Sequence, residues 1–354
     1  MSLVEAVASI AVFPPNGLGD AMLTLPAIEA LELAYPCARI TLLGRAVHAA
    51  LFRGRPGPIA EVYVVGDSFE ERLHHIDALR QRRFDLAVQL HGGGAQSNAF
   101  IRALQARVSI GAMAHDAPPL DRAIPYARHQ QEVMRQLEIV ALVGASPTIF
   151  DPRLAVTAND RAQLTEYVDV REPYIVLHPG ATDKRRRWDP RRYARLARQL
   201  SARGYQIYVT GDSTERADTR AVSDLSDVED LGGKLTIGAL VALLARAELV
   251  VGNDTGALHL ARAAGASTVT LYWLGNLINF APLARARHRS LVSWRVHCPI
   301  CRSEQVRVRC PHDVSFVDDI SYAEVETATL DALADSPNVS AKTPSHAARN
   351  RCSG

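Results

Sequence analysis

A chain of 354 residues is long enough for about two domains, each with its own buried core. Lys plus Arg number 40 against 38 Asp plus Glu, and the formal charge of +2 excludes a dedicated nucleic-acid binder, which would carry a strongly basic domain. With 47% hydrophobic and 22% charged residues the composition is that of an ordinary globular protein, and no run of 18 apolar residues offers a membrane span.

The first ten residues carry Glu5 and no cationic leader pattern, and five cysteines do not make a disulfide scaffold. A reducing, cytoplasmic setting is therefore expected. Residues 9–13 read as a strand, 21–34 as a helix, 39–43 and 62–65 as strands, 70–82 as a helix and 86–90 as a strand. Strands separated by helices imply right-handed crossovers and a mostly parallel sheet. The pattern fades over 112–129, where Pro118, Pro119 and Pro125 read as loop. It returns as a helix over 130–143, closed by Gly144. The first domain is thus expected over 1–150, and the Pro-bearing stretch 151–172 reads as a linker.

Alternation restarts with strands over 174–177, 206–210, 248–252 and 267–271, and helices over 190–203, 237–246, 256–264 and 322–333. A second domain over 173–334 follows, and 335–354, rich in Ser, Ala and Asn, reads as a disordered tail. The expectation is an α/β chain of two Rossmann-like domains whose ligands sit at the carboxyl ends of the strands.

Four strand ends carry the chemistry. The first runs into Pro14-Pro15-Asn16-Gly17-Leu18-Gly19-Asp20. Gly17 and Gly19 let backbone N–H groups approach a ligand at a helix start, and Asp20 can cap that helix or act as a general base. This is not a dinucleotide fingerprint, because Met22 stands where the third glycine would be. The second is His178-Pro179-Gly180-Ala181-Thr182, followed by Lys184-Arg185-Arg186-Arg187-Trp188, a basic loop able to clamp phosphate. The third is Gly211 with Glu215, a carboxylate able to accept from a ribose. The fourth, Asn253-Asp254-Thr255-Gly256-Ala257-Leu258-His259, suits a diphosphate at a helix N-terminus; His259 reads equally as a packed core residue. No D-x-D triplet occurs, so cations and helix dipoles must meet the diphosphate.

In this order and at these strand ends, the motifs resemble glycosyltransferase family 9, the ADP-heptose:lipopolysaccharide heptosyltransferases. The resemblance implies a GT-B fold, with two Rossmann-like domains facing across a cleft, and an inverting, metal-independent transfer from a nucleotide sugar. It implies that Asp20 is the general base on the acceptor hydroxyl. Asp254 would hold the sugar hydroxyls, Thr255 and Gly256 the diphosphate, and Glu215 the ribose. Gly17, Gly19, Thr182, Gly211 and His259 complete the expected donor-binding set. The family places a Lys just before its Arg/His-Trp pair; here that position is Arg186, with Lys184 two residues earlier. Arg186 is the first choice for the leaving diphosphate and Lys184 the second. Expected partners are ADP-heptose and a glycan or glycolipid acceptor, the latter with peripheral contact at the inner membrane and no nucleic acid. A protein acceptor, a non-catalytic sugar-nucleotide binder and an epimerase are the rival readings.

Cys298-Pro299-Ile300-Cys301 is followed by Cys310-Pro311-His312. Cys298, Cys301 and Cys310 read either as three ligands of a structural zinc or iron site, with His297, His312 or Cys352 as the fourth, or as reduced thiols. Some protein heptosyltransferases of the same family look similar in carrying a cysteine-bound metal near the C-terminus. No cofactor for the chemistry itself is expected.

Overall fold

A computed structural model describes residues 3–171, 173–306 and 308–335. The expected tail lies outside these residues, apart from Asp335, which ends the last helix. The chain divides into two compact units, one up to Ala155 and the other from Val156 onward.

The first unit holds β1 (Ser9–Phe13), α1 (Leu18–Leu23), α2 (Leu25–Ala34), β2 (Arg39–Gly44), α3 (Ala46–Phe52), β3 (Glu61–Val64), α4 (Phe69–His74), α5 (Ile76–Arg80), β4 (Leu86–Gln89), α6 (Ala95–Ala103), β5 (Val108–Met113), β6 (Arg122–Pro125) and α7 (Glu132–Ala141). Its strands lie in the order β3-β2-β1-β4-β5-β6, every neighbouring pair parallel. The second unit holds α8 (Ala158–Thr165), β7 (Tyr174–His178), α9 (Pro190–Ser201), β8 (Gln206–Val209), α10 (Arg216–Ser226), β9 (Glu229–Asp230), α11 (Ile237–Arg246), β10 (Leu249–Asn253), α12 (Gly256–Ala263), β11 (Thr268–Trp273), α13 (Leu274–Phe280), β12 (His288–Ser293) and α14 (Tyr322–Ala334). Its sheet, β9-β8-β7-β10-β11-β12, is also parallel throughout and repeats the topology of the first. In each sheet the winding reverses beside the first strand, between β1 and β4 and between β7 and β10. The crevice at the carboxyl ends of those strands is where such sheets take ligands.

Helices cover both faces, so the central strands are apolar without alternation. β4, β7 and β10 are buried along their whole length. Phe13, Leu43, Phe84 and Phe100 anchor the first core. Trp188, Tyr193, Trp273 and Phe316 anchor the second.

The structure departs from the sequence reading in its details. The helix expected over 21–34 begins at Leu18 and breaks at Thr24, because Pro26 has no N–H for the Met22 carbonyl. At the break the Thr24 hydroxyl donates to Ala21 O at 2.6 Å. The helix expected over 70–82 is split at His75, which ends α4 and begins α5. Part of the stretch read as loop is the edge strand β6, where Pro125 is tolerated because its missing N–H breaks no inner ladder. The stretch read as linker contains α8, started by a Thr157–Asp160 capping box and packed on α11. Gly144 closes α7 as expected, at φ +79°. No helix among the described residues is long and apolar enough to cross a membrane.

Candidate active site and cysteine centre

In the second unit the loops after β7 and β10 meet at the reversal of the sheet. β10 ends on Asn253, which is fully buried. Its Oδ1 accepts from the Trp188 amide at 3.2 Å and the Tyr193 hydroxyl at 3.0 Å. Its Nδ2 donates to the Pro179 and Gly180 carbonyls at 2.6 and 3.2 Å. That uses the full capacity of an amide side chain, so Asn253 ties both loops to the start of α9.

Asp254, next in the chain, is 1% exposed. Its Oδ2 accepts from Asn276 Nδ2 at 2.7 Å and from Arg186 Nη1 at 3.3 Å. Arg186 Nη1 also donates to the Asp254 carbonyl at 2.8 Å. His259 Nε2 faces Asp254 Oδ1 at 3.5 Å, and His259 Nδ1 takes a 2.6 Å contact from Arg262. A guanidinium can only donate, so the His259 proton sits on Nε2, toward the carboxylate. Burial pushes the Asp254 carboxyl up, but His259, Arg186 and Asn276 outweigh it and hold it below the ordinary range. Burial and the Arg262 charge push His259 down, so it stays neutral. Asp254 therefore orients its neighbours and does not cap α12.

Thr255 is the N-cap of α12, yet its hydroxyl makes no cap bond and is buried without a partner among the described residues. First-turn amides of a helix lack intrahelical acceptors and carry partial positive charge. An orphaned hydroxyl beside the amides that begin at Gly256 is a seat for an anion.

The basic loop folds as a 3₁₀ turn over Lys184–Arg186, begun by Asp183. Its cations differ in commitment. Arg185 is clamped by Asp183 at 2.6 Å and stacks on Trp273 at 5.4 Å. Arg187 holds the Ala181 carbonyl at 2.7 Å and Asp218 at 2.9 Å. Arg186 is held by Asp254. Lys184 is exposed, and its ammonium makes no hydrogen bond or ion pair among the described residues. Thr182 is exposed beside it.

Glu215 is 5% exposed and packs against two of the expected glycine positions. A Cβ on Gly180 would stand 2.3 Å from the Glu215 carboxyl carbon, and one on Gly211 3.1 Å from Glu215 Cβ. The carboxylate accepts from the Asp212 amide at 3.0 Å and faces His178 Nε2 at 3.5 Å. Burial pushes it up, but His178, the Asp212 amide and Arg187 hold it below the ordinary value.

Gly17, the N-cap of α1, and Gly19 and Asp20, in its first turn, lie together where β1 runs into α1 in the first unit. Asp20 stands in the first turn of α1, and a Cβ on Gly17 would come within 2.9 Å of its Oδ2. The loop is braced by two cations. Arg45 donates to Asn16 O at 3.3 Å, and Arg72 to Asn16 Oδ1 at 3.1 Å while lying over the Phe13 ring. His48, buried behind it, is pushed down to about 4 by burial and by Arg45. The loop after β4 carries His91-Gly92-Gly93-Gly94, and His91 stacks on Phe13 with ring centroids 5.1 Å apart. Gly93 has φ +77°, and a Cβ there would stand 2.6 Å from Ala112 O.

Cys298, Cys301, Cys310 and His312 converge, with one ligand atom from each lying within 4.8 Å of the others. Three thiols and an imidazole at such separations fit a tetrahedral zinc or iron ion. Cys298 is buried, and the turn after it is closed by the Cys298 amide on Ser303 O at 2.9 Å, with Arg302 at φ +63°. The Ser303 hydroxyl and amide, with Cys298 and His312, lower Cys301 to about 6 and favour its ligating thiolate form.

Sequence reasoning singled out the strand-end motifs but missed Asn276 and the His91–Gly94 loop. Three glycines after a strand were the available signal for the loop; nothing in the sequence marks Asn276.

A profile of glycosyltransferase family 9 (heptosyltransferase) matches residues 72–311, more than half of the chain. Lipopolysaccharide heptosyltransferase 3 of Escherichia coli is 25% identical over 296 residues, spanning 74% of this chain and 85% of that protein. Among solved structures, the E. coli ADP-heptose lps heptosyltransferase II superposes with a TM-score of 0.71 at 20% identity, covering 92% of this chain and 98% of the other. The iron-containing dodecameric glycosyltransferase TibC of enterotoxigenic E. coli superposes with a TM-score of 0.56 at 14% identity, covering 94% and 77%. The likeness is one of fold, two Rossmann-type units of the GT-B class. Since the profile covers more than half of the chain, the chain belongs to glycosyltransferase family 9, the heptosyltransferases, and is a glycosyltransferase.

Proposed function

We propose that this enzyme moves a heptose from ADP-heptose to a hydroxyl of a lipopolysaccharide-core glycan, with inversion and without a metal in the chemistry. The observation that carries the reading is the anion seat at α12: the orphaned Thr255 hydroxyl, the helix amides from Gly256, and the Asp254–Arg186 pair beside them. The names of the E. coli relatives supply the donor and the glycan class.

The reaction is a single displacement. The acceptor oxygen bonds to the anomeric carbon as its proton passes to Asp20, and the bond from that carbon to the phosphate oxygen breaks to release ADP. Charge gathering on the diphosphate is met by Lys184, by Arg186 and by the N-terminus of α12. Glu215 takes the ribose, and Asp254 takes sugar hydroxyls while ionised. A zinc or iron ion held by Cys298, Cys301, Cys310 and His312 would cross-link the chain and supply stability in place of reactivity. The enzyme would work in the cytoplasm, on acceptors carried at the inner membrane.

Incubating the protein with ADP-heptose, with and without a heptose-deficient lipopolysaccharide acceptor, tests this reading. Acceptor-dependent ADP release with a new glycosidic bond of opposite anomeric configuration supports it. Donor conversion without acceptor makes the protein an epimerase, binding without turnover makes it a binder, and label on protein alone moves the acceptor class.

The two cations should separate in binding experiments. Lys184→Ala should weaken ADP by about tenfold at unchanged melting temperature, as for loss of one charge-assisted contact. Arg186→Ala should weaken ADP and also lower the melting temperature, because it leaves Asp254 buried with one partner fewer. Titration calorimetry and thermal melts check both; identical behaviour of the two variants would remove the distinction.

A further inference from the structure

The segment after Cys310 and His312 has no helix or strand until α14, yet it grips the basic loop along its length. The Phe316 amide donates to Arg185 O at 2.7 Å, and the Ser315 hydroxyl to Arg187 O at 2.6 Å. These are the carbonyls on either side of Arg186. Farther on, the Asp189 amide donates to Asp318 at 3.1 Å and the Trp188 indole to Ile320 O at 2.9 Å. Arg185 lies over the Phe316 ring at 5.9 Å, and Arg309 stands 3.8 Å from Asp183, the residue that starts the turn.

An irregular strap is only as fixed as its two ends. Its far end is fixed by α14, whose N-cap is a Ser321–Glu324 capping box. Its near end is the Cys and His cluster. There Cys298, seated in the core beside Trp188 and Phe316, meets Cys310 and His312 from a later part of the chain. A metal joining the two would close the intervening loop and remove its freedom, as any cross-link does.

We propose that metal bound by Cys298, Cys301, Cys310 and His312 orders the strap 313–320, which holds the Lys184–Arg187 loop in shape for the donor diphosphate. Ser315 is then a positioning residue, acting through the Arg187 carbonyl. The proposal rests on the metal reading given above, and its test separates the two.

The full-length protein is loaded with zinc or ferrous iron, or stripped by chelation, and metal is counted by mass spectrometry. Amide hydrogen exchange is followed for 183–192, with β1 and β4 as an internal control, and ADP affinity is measured by calorimetry. Uptake of one metal per chain is expected. Stripping should speed exchange over 185–189 by about tenfold and weaken ADP by a similar factor, with the control strands unchanged. Cys301→Ser should behave as the stripped protein. Ser315→Ala should keep its metal, yet show faster exchange at 186–188 and weaker ADP binding. Failure to take up either metal overturns both the metal reading and the proposal. One metal per chain, with exchange over 185–189 indifferent to its removal, overturns the proposal alone. So does a Ser315→Ala protein whose loop is as protected as wild type. If neither form binds ADP, the donor reading fails, and the exchange data still decide the proposal.

Discussion

Asp20→Ala should lower kcat by about two to four orders of magnitude, the usual cost of removing a general base, and leave ADP affinity within about twofold. The split follows from where the side chain stands. Asp20 belongs to the first turn of α1 in the first unit, whereas the anion seat and the cationic loop belong to the second. The β1–α1 loop has supports besides Asp20, since Arg45 and Arg72 hold Asn16 and Pro14–Gly17 follows the buried β1. The variant should therefore fold, bind donor and fail at proton transfer. Asp20→Asn, which keeps the volume and removes the basicity, should fail equally. Steady-state kinetics with saturating donor and calorimetry with ADP measure the two halves. Full turnover by either variant removes Asp20 from the mechanism, and loss of ADP binding would recast it as a donor residue.

Asn253→Ala should destabilise the second unit by about 3–5 kcal/mol, because several buried groups lose their partner at once. The Trp188 amide, the Tyr193 hydroxyl and the Pro179 and Gly180 carbonyls all end on this one side chain. An unsatisfied buried group costs about 1–3 kcal/mol; the four share one site, so their sum is an upper bound. In a unit of this size that should lower the melting temperature of its transition by about 10 °C. Asn253→Asp should do no better: it keeps the acceptor but turns a carboxylate oxygen on two carbonyls that need a donor. Calorimetric melts of the three proteins decide the matter. A shift under about 1 kcal/mol would mean that water replaces the lost donor and acceptor.

Much of the architecture is legible because a sheet covered on both faces writes unbroken apolar runs into the sequence, as at Tyr174–His178 and Leu249–Asn253. Edge elements escape the same reading. β12 is only half-buried along most of its length and carries His288, Arg289 and Ser290, so no apolar run announces it. β9 has two residues, too few for any pattern. β6 was hidden behind prolines that an edge position tolerates. The site divides in the same way. Glycines, a helix-start threonine and a basic loop follow from local rules about turns, helix ends and charge. Which partner each side chain takes does not, because the partners are far apart in sequence. Asn253 reaches Trp188 across 65 positions, and the Trp188 indole reaches Ile320 across 132. The asymmetry between Arg186, whose guanidinium is engaged by Asp254, and Lys184, whose ammonium makes no hydrogen bond or ion pair among the described residues, arises from such a long-range meeting and leaves no trace in the spacing.

Each sheet draws all of its strands from one uninterrupted stretch, the first completed by β6 before Ala155 and the second begun by β7 after it. All-parallel pairing is slow to assemble, since every partner arrives by a crossover and exposes apolar edges while it waits. With no strand exchanged between the halves among the described residues, the emerging polypeptide can finish its first sheet on the ribosome while the second is still being translated. Only the later half, whose shape is finished by the strap running back over the Lys184–Arg187 turn, must wait until the strap itself has emerged.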